Sequence, residues 1–260
     1  MELSLLQYGF GVLSGILVGF SLGLVGGGGS ILAVPLIVYF VGVKDPHLAI
    51  GTTAVAVAAN AAINLMSHAR NGTVKWRCAG PFAVAGVAGA FWGSTLGKTI
   101  DGQKLLVLFA LLMVAIGILM LRGRSVEGDP HVSLSRGNAP KLLAIGAMTG
   151  ALSGFFGIGG GFLIVPGLML ATGMPIVYAV GSSLLAVAAF GVTTAANYAT
   201  SGWVDWALAA AFIAGGIAGG VGGAAISKHL AGKRGALNSV FAVLIFLVAG
   251  YILYRSRGVF

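Results

Sequence analysis

Gly19–Pro35 reads GFSLGLVGGGGSILAVP and Gly150–Pro166 reads GALSGFFGIGGGFLIVP, two glycine-rich interruptions of apolar sequence set 131 residues apart. Eight of the 17 aligned positions are identical and five of those eight are glycine, so the likeness lies in the break itself and not in a generic apolar composition. Paired Gly/Pro breaks at corresponding points of two halves are the sequence signature of a secondary transporter, whose site lies where broken helices meet near the bilayer midplane.

Composition supports a bilayer setting. The chain is 58% hydrophobic and 8% charged, with a mean hydropathy of +1.00, far from the balance of a water-soluble domain. Uncharged runs long enough to approach or exceed a membrane crossing occupy Leu3–Val43, Leu48–Ser67, Cys78–Gly97, Leu105–Leu121, Leu142–Val177, Val180–Thr200, Ala207–Ser227 and Gly235–Tyr254. Leu3–Val43 and Leu142–Val177 contain the breaks and are too long for one span. Each reads as a full helix followed by a short half-helix, which raises eight segments to ten membrane elements. Glu2 stands where a signal peptide would carry basic residues, so a cleavable leader is not expected. The one cysteine, Cys78, reads as a small apolar residue near a helix start.

The net charge of +9 is distributed over short connectors, not gathered on one surface, which argues against nucleic acid as a partner. Arg70, Lys75 and Arg77 fill one connector, whereas its second-half counterpart, 201–205, has no basic residue. Lys228, Lys233 and Arg234 fill another, opposite Lys98, Lys104 and Asp101 in the first half. This swap is what inverted halves predict, and inversion requires an odd number of crossings per half. Arg255 and Arg257 argue the other way. The polar stretch Gly123–Pro140 reads as a solvated linker between a first repeat, 1–122, and a second, 141–260.

The repeat continues beyond the breaks. Gly51–Trp76, GTTAVAVAANAAINLMSHARNGTVKW, aligns with Gly181–Trp206, GSSLLAVAAFGVTTAANYATSGWVDW, at nine identities in 26. With the doubled G-x-G-G-G-hydrophobic-x-V-P element, the Gly-Thr-Thr and Gly-Ser-Ser pairs, and the Gly-x-Val-x-Trp loops at Gly72–Trp76 and Gly202–Trp206, nearly the whole chain resembles the sulfite exporter TauE/SafE family of membrane permeases. The resemblance implies transport of small anions, chiefly sulfur oxyanions and organosulfonates.

The chemistry of the motif points the same way independently. A helix beginning inside the membrane presents unbonded N–H groups and the positive end of its dipole, which together hold an anion without a full charge. Glycine lets the backbone approach the ligand closely. Gly28, Gly29 and Ser30 are therefore expected at one such helix start, and Gly159, Gly160 and Gly161 at the other. The competing reading is close helix packing, the role expected of scattered glycines such as Gly86, Gly89, Gly93, Gly215, Gly216, Gly219, Gly220, Gly222 and Gly223.

A polar stripe follows each break. Thr53, Asn60, Asn64 and Ser67 share one helical face, and Ser183, Thr194 and Asn197 occupy the positions of Thr53, Asn64 and Ser67 in the second copy. Neutral donors suit a transported anion, because binding must permit release. The same side chains also suit interhelical hydrogen bonding. Thr52 and Ser182 join the candidate substrate ligands or act as helix caps. His68 and Arg70 end the first stripe where Tyr198 and Thr200 end the second, and they are candidates either for gating and proton coupling or for interfacial anchoring. Trp76, Trp203 and Trp206 read as interface-belt residues.

All six acidic residues, Glu2, Asp45, Asp101, Glu127, Asp129 and Asp205, lie at termini or connectors, which disfavours a membrane-buried carboxylate relay. GGGGS lacks the Lys-Ser/Thr ending of a phosphate loop, and no enzyme, metal or cofactor motif is present. The sequence thus predicts an all-α polytopic protein of the plasma (inner) membrane, with two homologous, inverted repeats of about four transmembrane segments each and 8 to 10 membrane elements. Its expected partners are a small anionic substrate and the lipid bilayer, in a monomer or homodimer. Export down the membrane potential is the first functional expectation. Proton- or cation-coupled uptake and a non-transporting membrane scaffold are the alternatives.

Overall fold

The computed structural model describes residues 3–122, 129, 132–135, 137–157, 161–229 and 234–255, excluding the side chains of 25–28, 119–122, 224–229 and 234–244. Much of the expected linker, together with Gly159 and Gly160, lies outside the described residues. Among the described residues there are ten α-helices and no strand.

The first is α1 (Leu5–Val25). It runs without a loop into a 3-10 helix, Gly26–Leu32, one α-helical turn α2 (Ala33–Pro35) and a π-helical stretch, Leu36–Val41. Then come α3 (Pro46–Arg70), α4 (Trp76–Gly97), α5 (Gly102–Arg122), α6 (Ala139–Phe156), α7 (Gly161–Thr172), α8 (Ile176–Ala199), α9 (Trp206–His229) and α10 (Arg234–Arg255). Five of these helices are long and apolar enough to cross a membrane, and the described parts of others form shorter apolar helices. Large side chains point outward along them, including Leu5, Val84, Trp92, Val221 and Leu247, as a lipid-facing surface requires. The chain is a multi-pass membrane protein.

Local sequence sets the boundaries. Asp45 caps α3 by accepting the His47 N–H at 2.8 Å, with Pro46 in the first turn, where its missing N–H costs nothing. α6 ends on Gly157 at φ 67°, a left-handed conformation that glycine adopts freely.

The first break is a hairpin. Gly29 lies against the backbone of Ser21 and Leu22 near the far end of α1. By Val41 the chain has returned to the start of α1, where Gln7 Nε2 donates to the Val41 carbonyl at 3.1 Å and Phe10 meets Phe40 at 4.8 Å. The length of Leu3–Val43 predicts a full helix followed by a short half-helix; the second piece is a mixed 3-10, α and π segment, and its return along α1 goes beyond that expectation.

Two long helix pairs pack by backbone contact. α1 lies along α9, where a Cβ on Gly15, Gly19, Gly219 or Gly223 would run into the carbonyls of Phe212, Gly216, Ile16 and Phe20 respectively. α4 lies along α6, where a Cβ on Gly146, Gly150, Gly89 or Gly93 would meet the carbonyls of Phe82, Gly86, Ala147 and Ala151. Residue numbers rise together along both interfaces, so each pair runs parallel. The packing role expected of Gly86, Gly89, Gly93, Gly215, Gly216, Gly219 and Gly223 is therefore met by direct approach of helix to helix. Gly222 is the exception, with only the rim of the Phe20 ring near it, at 3.9 Å.

Between these pairs α3 crosses α8. Gly191 approaches Ala54 and Ala58 at the crossing. At one end Gly51 abuts the Trp203 carbonyl, and at the other Gly181 abuts Thr73, so α3 and α8 are antiparallel. α5 packs on α10.

Candidate functional site

α7, the helix that follows the second break, packs against the 3-10 helix Gly26–Leu32 of the first, which also touches α8. Ser30, Gly29 and Gly161 are buried there. The geometry of the first break differs from the expected abrupt helix start. Gly28, Gly29 and Ser30 lie within a 3-10 stretch continuous with α1, and Gly29 is held to glycine by the Ser21–Leu22 backbone against it. Close packing therefore accounts for Gly29 without any ligand. In the second copy α7 begins at Gly161, four residues after the left-handed Gly157.

The stripe residues divide by hydrogen bonding. Thr53 Oγ1 donates to its own helix, to the Ala49 or Ile50 carbonyl at 2.8 and 3.0 Å, and Ser183 Oγ donates to Val180 O at 2.7 Å. Asn64 Nδ2 donates to the Asn60 carbonyl at 2.9 Å. Asn197 instead faces α4, where its Nδ2 meets Ser94 Oγ at 2.7 Å and Thr95 Oγ1 at 2.9 Å. Lys98 Nζ joins the same junction, donating to the Asn197 carbonyl and to Ser201 Oγ, each at 3.0 Å. A lysine reaching the last carbonyls of α8 is favourably placed against the negative end of the helix. Sequence reasoning did not single out Ser94, Thr95 or Lys98 as partners of Asn197, since 99 or more residues separate Lys98 from what it contacts.

Two stripe side chains have no such partner. The amide of Asn60 and the hydroxyl of Thr194 are buried, with relative exposures of 1% and 0%, and are unpaired among the described residues. A buried polar group left unpaired is costly, and His47 Nδ1, Ser153 Oγ and the Tyr198 hydroxyl are in the same condition.

Thr52 and Ser182 cap helices, though not their own. Thr52 Oγ1 accepts the Asp205 N–H at 2.9 Å, at the start of α9, and Ser182 Oγ accepts the Lys75 N–H at 2.8 Å, at the start of α4. Both bonds join elements more than 100 residues apart in sequence and fix the ends of the α3–α8 crossing.

His68 and Arg70 lie at the C-terminal end of α3. His68 Nδ1 bonds Thr73 Oγ1 at 2.9 Å, and Thr73 Oγ1 is also 3.0 Å from the His68 carbonyl, closing the end of α3. Arg70 is exposed at the last residue of that helix. Of the three tryptophans expected in an interface belt, Trp76 and Trp206 are exposed, whereas Trp203 stacks on His47 with ring centroids 4.7 Å apart and is a packing residue. Cys78 is buried near the start of α4.

A multi-pass protein with ten α-helices among its described residues, buried glycines at Gly29, Gly157 and Gly161, and antiparallel central helices that carry uncharged polar side chains has the architecture of a membrane permease. The sulfite exporter TauE/SafE family model matches residues 11–252, and the chain belongs to that family. It is 54% identical over 245 residues to a "Probable membrane transporter protein" of Xylella fastidiosa (strain 9a5c), covering 94% of each chain. It is 26% identical over 268 residues to the "Probable membrane transporter protein YunE" of Bacillus subtilis (strain 168), covering 94% of this chain and 97% of that one. No solved structure matches the chain.

Proposed function

We propose that the chain is a plasma-membrane permease for a small sulfur oxyanion or organosulfonate, of the sulfite, sulfoacetate or taurine type, bound where the two breaks meet and released outward. The observation that supports this reading is the packing of α7, which follows the second break, against the uncharged Gly26–Leu32 segment of the first. The family's description as sulfite exporters supplies the substrate class. The ligands are backbone N–H groups around Gly28–Ser30 and Gly159–Gly161, with the Thr194 hydroxyl as a side-chain donor; the backbone-held Thr53, Ser183 and Asn64 line the same helices.

The halves act as inverted repeats, 1–122 and 141–260 joined by 123–140. Support comes from the antiparallel α3 and α8, which are equivalent in the sequence alignment, and from the matched pairs α1 with α9 and α6 with α4. None of the described helices contains an acidic residue, so export rests on the membrane potential and not on a carboxylate relay. The test is a ligand screen on purified protein with sulfite, sulfate, thiosulfate, sulfoacetate, taurine and carboxylate analogues, followed by flux in proteoliposomes. Saturable movement of a sulfur anion is the expected result; protein-independent flux of every anion in the panel would leave a scaffold in place of a permease.

A further inference from the structure

Two three-helix junctions in the molecule are built alike and differ in one side chain. In the first, a Cβ on Gly19 of α1 would strike the Gly216 carbonyl of α9, and a Cβ on Gly216 would strike the side chain of Asn60 on α3. In the second, a Cβ on Gly150 of α6 would strike the Gly86 carbonyl of α4, and a Cβ on Gly86 would strike the ring of Phe190 on α8. The sequence alignment places Gly19 with Gly150 and Asn60 with Phe190. Gly86 and Gly216 are the middle members of the two junctions.

Phe190 does what packing demands: its ring is fully buried and lies 6.4 Å from Phe82. Asn60 does not. Its amide has two donor hydrogens and an acceptor oxygen, yet Nδ2 and Oδ1 are both buried and unpaired among the described residues. The sister junction is an internal control, since it shows that an apolar side chain suffices to hold three helices at this geometry. An amide at the equivalent place therefore needs a different reason.

We propose that Asn60 is a specificity-determining ligand of the transported anion, its Nδ2 donating to a substrate oxygen when α9 moves off α3 during transport. The proposal rests on the permease reading above and names a side chain for it. Asn60 lies within two residues of Ala58, where α3 and α8 cross, so its contribution falls near the middle of the α3–α8 crossing. Because Gly216 has no side chain, it is backbone that meets the amide on the α9 side, and it is there that a movement of α9 would open space for a substrate. Its Oδ1 accepts a hydrogen from a protonated or amine-bearing substrate, so the one amide serves an anion that also carries a donor.

The experiment measures binding of sulfite, methanesulfonate, sulfoacetate and taurine to wild type, Asn60→Leu and Asn60→Ala, alongside each protein's melting temperature without ligand. At least tenfold weaker binding in both variants, with Asn60→Leu melting at or above wild type, is the expected result. Wild-type affinity in either folded variant overturns the role given to Asn60 while leaving the permease reading intact. A wild-type protein that binds none of the four compounds overturns both.

Discussion

The Thr52 hydroxyl accepts the Asp205 N–H across the α3–α8 crossing, and Ser182 repeats that bond with Lys75 at the opposite end. Thr52 and Ser182 are equivalent in the sequence alignment, as are Lys75 and Asp205, so each copy of the repeat ties down the other. Removing either hydroxyl leaves a helix-start N–H without its acceptor. Thr52→Val and Ser182→Ala are each expected to lower stability by about 1–3 kcal/mol. Denaturation in detergent checks this; a pair of silent substitutions would mean that water replaces both bonds.

Adjacent glycines provide a sharper test of helix packing. Gly223 lies against the Phe20 carbonyl, while a Cβ on neighbouring Gly222 would make only an ordinary contact with the Phe20 ring at 3.9 Å. Gly223→Ala is expected to destabilise by about 1–3 kcal/mol through overpacking. Gly222→Ala should be neutral or stabilising by up to about 1 kcal/mol, since alanine is the better helix former. Equal melting temperatures for the two variants would contradict the close α1–α9 approach.

Much of the architecture was legible because hydrophobic length and the doubled break are local signals. The eight apolar runs become helices, and Leu3–Val43 divides into a full helix and a shorter helical segment as its length suggests. What the sequence hid is what tertiary contact decides. Nothing in GGGGSIL distinguishes a helix start from a 3-10 continuation of α1, and nothing near Gly29 reveals that Ser21 and Leu22 press against it. Periodicity placed Asn60, Asn64, Thr194 and Asn197 on their stripes but could not say which would find partners. That depends on Ser94, Thr95 and Lys98 arriving from another helix. Trp203 read as a belt residue because its stacking partner His47 is remote in sequence.

Asn197 tests that division directly. With its Nδ2 committed to Ser94 and Thr95, Asn197→Leu should lower the melting temperature and leave anion affinity unchanged. Lost hydrogen bonds of this kind between membrane helices are worth about 0.6–2 kcal/mol. Affinity that drops while the melting temperature holds would return Asn197 to the substrate site.

Energetics supply the last test. Moving one anionic charge outward across an interior-negative membrane is favoured by about 2.3 kcal/mol per 100 mV. Efflux of a bound sulfur anion from proteoliposomes should therefore accelerate when a potassium gradient with valinomycin makes the interior negative, and it should respond little to an imposed proton gradient. His68 closes the end of α3 through Thr73, so His68→Gln, which keeps a side-chain hydrogen-bonding group near Thr73, should retain most of the flux. Flux that follows the proton gradient and collapses in His68→Gln would replace potential-driven export with proton-coupled transport through the α3 end.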